Sequence, residues 1–450
     1  MTPNSAASAF LHLPADLLLA ILLLLDVEDV LCLTQVCRGF HAFTVSSDYL
    51  WHQLVRLRPG LPLDLPAYVH ASQLPAPVLQ GATREALRLQ HNWRRTSPRV
   101  REMRHIHEKA SQTLLLGELL VVLRRNSLSV WRLATAVCVG SIDLPGSMAP
   151  MTFASSMQQN DILVAIISSI HSGTRLDIYN MQLSDETTFA SASFRCVCSI
   201  ERTGMDPFYE AHVYSNIVAV GIHSTLAPRI LLIDTATGAQ SMVDPQLPEG
   251  LTQRHFQLAR TDDGLRIVLT GLANEKFLVR THKIPEFSRD GRQLEASLGD
   301  PLTQNETPTV AGGEYTLGAA TTHQIASTCA LSFHNPLNSQ VDDWFFRFPV
   351  SAKGDLGSTY RFNTHHSASV EILCLGPHST KAVWLERRWT TDEHSLMKGT
   401  FTSKGVAVGT LFGRNTTLPF RFHEIQSLAF DETSGRVVIG LHEDIYAFYF

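Results

Sequence analysis

The sequence predicts an α+β multidomain chain: a small three-helix N-terminal module, a helical linker, then an all-β domain of about seven four-stranded units. Three observations carry this. Residues 10–58 are leucine-rich with helical spacing. Residues 59–98 open on a proline-rich connector, PGLPLDLP and LPAP, and turn helical at Thr83–Arg95. From 99 to 450, short β-branched runs alternate with clusters of Gly, Asp, Asn, Ser and Thr. Residues 1–9 are small and polar and are expected to be disordered.

Composition sets the outer bounds. Hydrophobic residues make up 44% of the 450 and charged residues 18%, enough apolar material for a large core. A formal charge of −5 argues against bulk nucleic-acid binding, which needs a basic surface. Seven irregularly spaced cysteines suit a reducing compartment better than a disulfide framework, so a cytoplasmic or nuclear location is expected. Met1–Ala9 lacks the positive segment of a secretory leader. The run Leu17–Leu25 is nine apolar residues between acidic flanks, against roughly 20 for a membrane span, so no membrane association is expected.

In the helical module, Pro14 suits a helix start and Asp16 suits the positive end of the helix dipole. Leu17, Leu18, Ile21, Leu22 and Leu25 fall on one broad stripe, while Leu19, Leu23 and Leu24 lie off it. Asp26 is placed to cap a second helix. A module of about 45 residues struggles to bury its own apolar surface. Leucines on more than one face therefore leave surface for a partner.

The β region repeats a grammar of strand, turn, strand, turn, strand. Seven such clusters lie between residues 113 and 450. A period of roughly 50 residues in strand-rich sequence indicates an array of blades around a channel, a β-propeller of about seven four-stranded blades. The last cluster shows three strands. A closed ring needs a fourth, and Arg99–Ile106 is the natural donor.

The module also carries an ordered set of elements: Leu13-Pro14-x-Asp16-Leu17-Leu18, Ile21-Leu22, Leu25-Asp26, Asp29-Val30-Leu31, Val36-Cys37-Arg38-x-Phe40, and Ser47-Asp48 with Leu50-Trp51. In these elements it closely resembles the F-box family, with Phe40 where that family often has Trp. The Thr83–Arg95 helix with Ala86, Leu87, Leu89 and Trp93 resembles, more loosely, the linker of fungal F-box proteins with a propeller-like, WD-repeat-like region. The resemblance implies that the module binds a Skp-type adaptor, and through it a cullin and its RING subunit. The implied contacts are Leu13, Pro14, Leu17, Leu18, Ile21, Leu22, Leu25, Leu31, Val36, Cys37, Phe40 and Trp51. The expected function is substrate recognition for an SCF-type ubiquitin ligase, without catalysis. Left open are an F-box scaffold outside a cullin ligase and a propeller enzyme with a regulatory F-box. In the β domain, Trp344, Arg387, Arg388 and Trp389 are candidates for target binding, because aromatic and arginine residues dominate binding hot spots.

Other constellations point nowhere sharp. The arginines from Arg84 to Arg104 are interleaved with Glu85 and Glu102, which favours a solvated face. His105-x-His107 places two imidazoles on one strand face, but no third ligand stands at a sensible spacing. His365-His366 and Cys196-x-Cys198 lack further ligands in the same way. No nucleophile elbow, phosphate loop, H-E-x-x-H or C-x-x-C motif is present. No metal, cofactor or catalytic residue is therefore assigned.

Overall fold

A computed structural model describes residues 13–57, 61–65, 71–145, 149–158, 161–184, 191–224, 228–246, 252–261, 263–273, 276–287, 294–308, 314–319, 327–333, 344–349, 360–363, 368–376, 380–402 and 405–450. The expected disordered stretch 1–9 and the pair His365-His366 lie outside them. The chain divides into two compact units, Met1–Arg95 and Thr96–Phe450.

The first unit holds five helices among its described residues: α1 (Ala15–Leu24), α2 (Val27–Leu33), α3 (Arg38–Ser46), α4 (Asp48–Leu57) and α5 (Ala76–Trp93). Four of these fall where three were expected. The extra boundary sits at Ser47, whose backbone leaves the helical region and whose hydroxyl accepts the Leu50 N–H, so α4 restarts at once. The linker helix is also longer than Thr83–Arg95. It starts at Ala76 behind Pro75, which sits at the N-cap with extended backbone. The Ala76 N–H donates to Asp48 Oδ1 at 2.6 Å, so a carboxylate 28 residues upstream caps the helix. Pro75 and Pro77 of the LPAP stretch thus stand at the cap and in the first turn, where no N–H is lost from the ladder.

One apolar cluster joins α1, α2, α4 and the start of α5: Leu22, Val27, Val30, Leu31, Leu50, Trp51, Leu54, Ala76 and Leu79. Trp51 is fully buried, and its indole N–H donates to the Thr44 carbonyl at 2.9 Å. Burying so large a side chain requires a partner for its N–H, and the end of α3 supplies it.

The second unit is all strand. Its first sheet is β2 (Gln112–Leu116), β3 (Leu119–Leu123), β4 (Ser127–Arg132) and β5 (Val137–Asp143). The second is β6 (Ala149–Gln158), β7 (Asp161–Ile170), β8 (Gly173–Leu183) and β9 (Ala192–Thr203). The third is β10 (Phe208–Tyr214), β11 (Ile217–Ile222), β12 (Arg229–Asp234), β13 (Gln240–Asp244) and β17 (Leu294–Ser297). The fourth is β14 (Thr252–Thr261), β15 (Gly264–Ala273), β16 (Lys276–Lys283) and β18 (Thr303–Pro308). The fifth is β19 (Glu314–Ala319), β20 (Ser327–Phe333), β21 (Trp344–Pro349) and β22 (Tyr360–Asn363). The sixth is β23 (Ala368–Leu375), β24 (Lys381–Arg388), β25 (His394–Thr402) and β26 (Gly405–Thr410). The last joins β27 (Ser427–Asp431), β28 (Arg436–Gly440) and β29 (Ile445–Tyr449) to β1 (Glu102–Ile106).

First strands of successive sheets touch: β2 with β6, β6 with β10, β10 with β14, β14 with β19, β23 with β27, and β27 with β2. The fifth sheet meets the sixth through β22 and β26. The sequence of contacts returns to its start, as a propeller requires. The central strands β3, β7, β11, β24 and β28 are buried along nearly their whole length, because both faces pack on neighbouring sheets.

The expectation of about seven four-stranded blades needs correction. Among the described residues six blades have four strands, and the remaining sheet has five. Between β16 and β18 the chain returns to the neighbouring sheet and adds β17 parallel to β13, pairing Ser241 with Leu294 through to Asp244 with Ser297. An exposed edge is thereby covered. Four-residue LEAS carries no strand signal of its own, so the sequence concealed it.

The closing strand stands where the ring demanded it. β1 pairs antiparallel with β29, from Glu102 opposite Tyr449 to Ile106 opposite Ile445. Ile106, Val438, Ile445 and Ala447 of this sheet pack with Leu120 and Val122 of the first.

Candidate functional site

The helical unit has an inner and an outer set of apolar side chains. Leu18 and Leu22, four residues apart, are the buried stripe of α1. Leu17, Ile21 and Leu24 stand at i, i+4 and i+7, so they share a different face. Leu24 is 84% exposed and Leu17 49%, while Ile21 is half-buried. Val36, after α2, is 61% exposed, and Tyr49 in the first turn of α4 is 57% exposed. Scattered single apolar residues on a surface need no explanation, but a helix face of three does.

The structure sorts the sequence-nominated adaptor contacts into two groups. Pro14, Leu17 and Val36 are exposed; Leu13, Ile21, Leu25 and Cys37 are half-buried. Leu18, Leu22, Leu31, Phe40 and Trp51 are buried in the unit's own interior, where they shape the outer face from behind. Leu24 and Tyr49 were not nominated, although both are outward and apolar. The signal for Leu24 was present, because it lies off the main stripe of an all-apolar helix.

Of the target-binding nominations in the β unit, Arg387 and Arg388 end β24, and Trp389 begins the turn into β25. The Arg387 guanidinium lies 5.6 Å from the centroid of the Trp389 ring and pairs with Asp392 at 2.5 Å. Trp389 is 46% exposed. Trp344 opens β21, in a different sheet from the other three.

Polar groups in the β unit mostly bind strands together. Glu432 is fully buried and accepts the backbone N–H groups of Thr380 and Lys381 and the Thr380 hydroxyl, each at 2.9 Å. It ties the last sheet to the sixth. Gly376 is required beside it, since a Cβ there would stand 2.5 Å from Glu432 Cδ. Glu210 on β10 accepts from His212 at 2.9 Å and from His255 on β14 at 3.2 Å. Burial alone would raise its pKa, but the two imidazoles outweigh burial and hold it at about 2. Cys196 and Cys198 flank a bulge on β9, and burial pushes both thiols up, against a thiolate role.

No helix of the described residues is long and apolar enough to cross a membrane. Residues 10–57 match a family model described as F-box-like. The N-terminal unit therefore holds an F-box-like domain. No curated protein matches the sequence. Among solved structures, the chain is similar to "Crystal structure of the WD40 domain of SCAP from fission yeast", at 7% identity and a TM-score of 0.42, over 74% of this chain and 82% of that one. It is also similar to a chain of "Crystal Structure of Mitotic Checkpoint Complex", at 12% identity and a TM-score of 0.44, over 79% and 92%. The propeller itself rests on the strand pairing.

Proposed function

We propose that this chain is a substrate-recognition subunit of an SCF-type ubiquitin ligase. The F-box-like domain at residues 10–57 carries this reading. Its outward leucines supply apolar surface that a compact helical unit would otherwise bury. A Skp-type adaptor covers Leu17, Ile21 and Leu24 of α1, with Pro14, Val36 and Tyr49 contributing. The adaptor bridges to cullin and RING subunits, and the propeller holds the target.

The role is positional. Holding a target lysine near a charged conjugating enzyme raises its effective concentration, and this chain supplies no reacting group. The end of β24 with Arg387 and Arg388, and the turn that Trp389 begins, offer the target an exposed aromatic ring and a planar cation.

The test is capture from cells. Full-length protein is expected to bring down adaptor, cullin and RING subunit together. A variant lacking residues 10–57 is expected to lose all three and to retain ubiquitylation targets at raised levels. Adaptor without cullin would replace the ligase reading with a scaffold; absence of the adaptor would end both.

A further inference from the structure

Two imidazoles on one strand face and a carboxylate far away in sequence meet where the ring closes. The register of β1 against β29 places His105 opposite Tyr446 and Ile106 opposite Ile445. One step further sets His107 opposite Asp444. Alternation along strands then puts His105, His107, Asp444 and Tyr446 on the same face. His105 Nε2 lies 2.7 Å from Asp444 Oδ1, and His107 Nδ1 lies 2.9 Å from the same oxygen. The three donor atoms fall within 4.8 Å of one another. Among the described residues this is the one group of three His, Cys or carboxylate side chains with such geometry.

We propose that His105, His107 and Asp444 bind one divalent transition-metal ion, zinc foremost, which clamps the first strand of the β unit to its last hairpin. Two imidazoles and one carboxylate are a donor set that zinc accepts, with ligand bonds of about 2.0–2.2 Å. Donors at such distances from one ion stand roughly 3.3–3.6 Å apart at tetrahedral angles. Small turns of the Asp444 carboxylate, which opens the 2.7 Å separation from His105, and of the 84% exposed His107 take the set from its present spacing to that one. The fourth position faces solvent on the His107 side and takes water.

The surroundings hold the first ligand in place. The Tyr446 ring stacks on His105, centroids 4.6 Å apart and planes 6° apart. The Asp444 carbonyl accepts the Leu441 N–H at 2.8 Å, which fixes the turn that presents its carboxylate. Oriented ligands of this kind raise metal affinity.

The ligands span 337 residues of sequence between His107 and Asp444. An ion joining them closes a very long loop, and metal clips of this type remove chain entropy from the unfolded state. It also stabilises by binding only the closed ring.

The test uses tag-free full-length protein. Zinc is titrated in competition with a chromogenic chelator, and cobalt(II) is added separately to report coordination by its visible absorption. One equivalent of each metal is expected to bind, with a zinc-dependent rise in Tm. His107→Ala and Asp444→Asn are expected to weaken binding by at least the roughly 10–100-fold that a change of a ligand's supporting partner costs. His442→Ala, at a neighbouring exposed histidine, is expected to leave affinity unchanged. Circular dichroism verifies folding of each variant, and exposure of His107 makes its alanine variant the secure one. Absence of stoichiometric binding, or equal affinity in wild type and His107→Ala, overturns the proposal.

Discussion

At the scale of single residues, burial decides what a substitution reports. Leu17 and Leu24 point outward, whereas Leu22 and Trp51 are fully buried in the same unit. Leu24→Asp should move the Tm of the helical unit by no more than about 2–4 °C, since exposed substitutions fall within roughly ±0.5 kcal/mol. Trp51→Ala removes a buried ring and its hydrogen bond to Thr44. It should destabilise the helical unit by about 3–5 kcal/mol, read by urea denaturation. An adaptor defect in Trp51→Ala therefore reports unfolding; one in Leu24→Asp reports the contact. Glu210 makes a residue-scale prediction about acid. Its folded pKa of about 2 lies below its ordinary value of 4.5. Its contribution to stability is present above pH 4.5 and is lost as the pH falls from there to about 2. A Glu210→Gln variant should show a flatter stability curve across that window in acid titrations followed by tryptophan fluorescence.

At the scale of elements, caps and closing strands carry the argument. Asp48 begins α4 and accepts the first N–H of α5, so one carboxylate links two helices. Asp48→Ala should cost about 0.5–2 kcal/mol in equilibrium unfolding of the helical unit. The sequence matched this residue to the F-box pattern as part of Ser47-Asp48 but gave no sign of the long-range cap, because nothing in local spacing connects residues 48 and 76. By contrast, β1 was legible from a counting argument. Three strands at the C-terminus left a place for a fourth, and Glu102–Ile106 fills it. The strand β17 was not legible, since it is a four-residue insertion whose pairing is set by the neighbouring sheet. Asp444 escaped notice as a companion of His105 and His107 for the same reason: strand pairing across the ring joins them, not spacing.

At the scale of the whole molecule, two units with different periods were visible in the sequence. Helical spacing filled residues 10–58, and strand grammar filled the region beyond 98. The F-box elements were legible because they are local and ordered. Which of them face outward was only partly so. Leu18, Leu22 and Leu31 read as contacts from the motif, yet they form the interior that supports Leu17 and Leu24. A leucine-rich helix shows the same letters on both faces, and only packing against α4 tells them apart. The proposed target surface was least legible, because a face built from several blades gathers residues from distant segments.

The central claim is that the outward face of α1 binds a Skp-type adaptor, and a direct affinity measurement decides it. Purified full-length protein is titrated with purified adaptor by calorimetry, beside the double variant Leu17→Asp and Leu24→Asp. Wild type should bind one adaptor per chain, and the double variant should bind at least tenfold more weakly while unfolding at the same temperature. Equal affinities for the two proteins, or no binding by the wild type, would contradict the account.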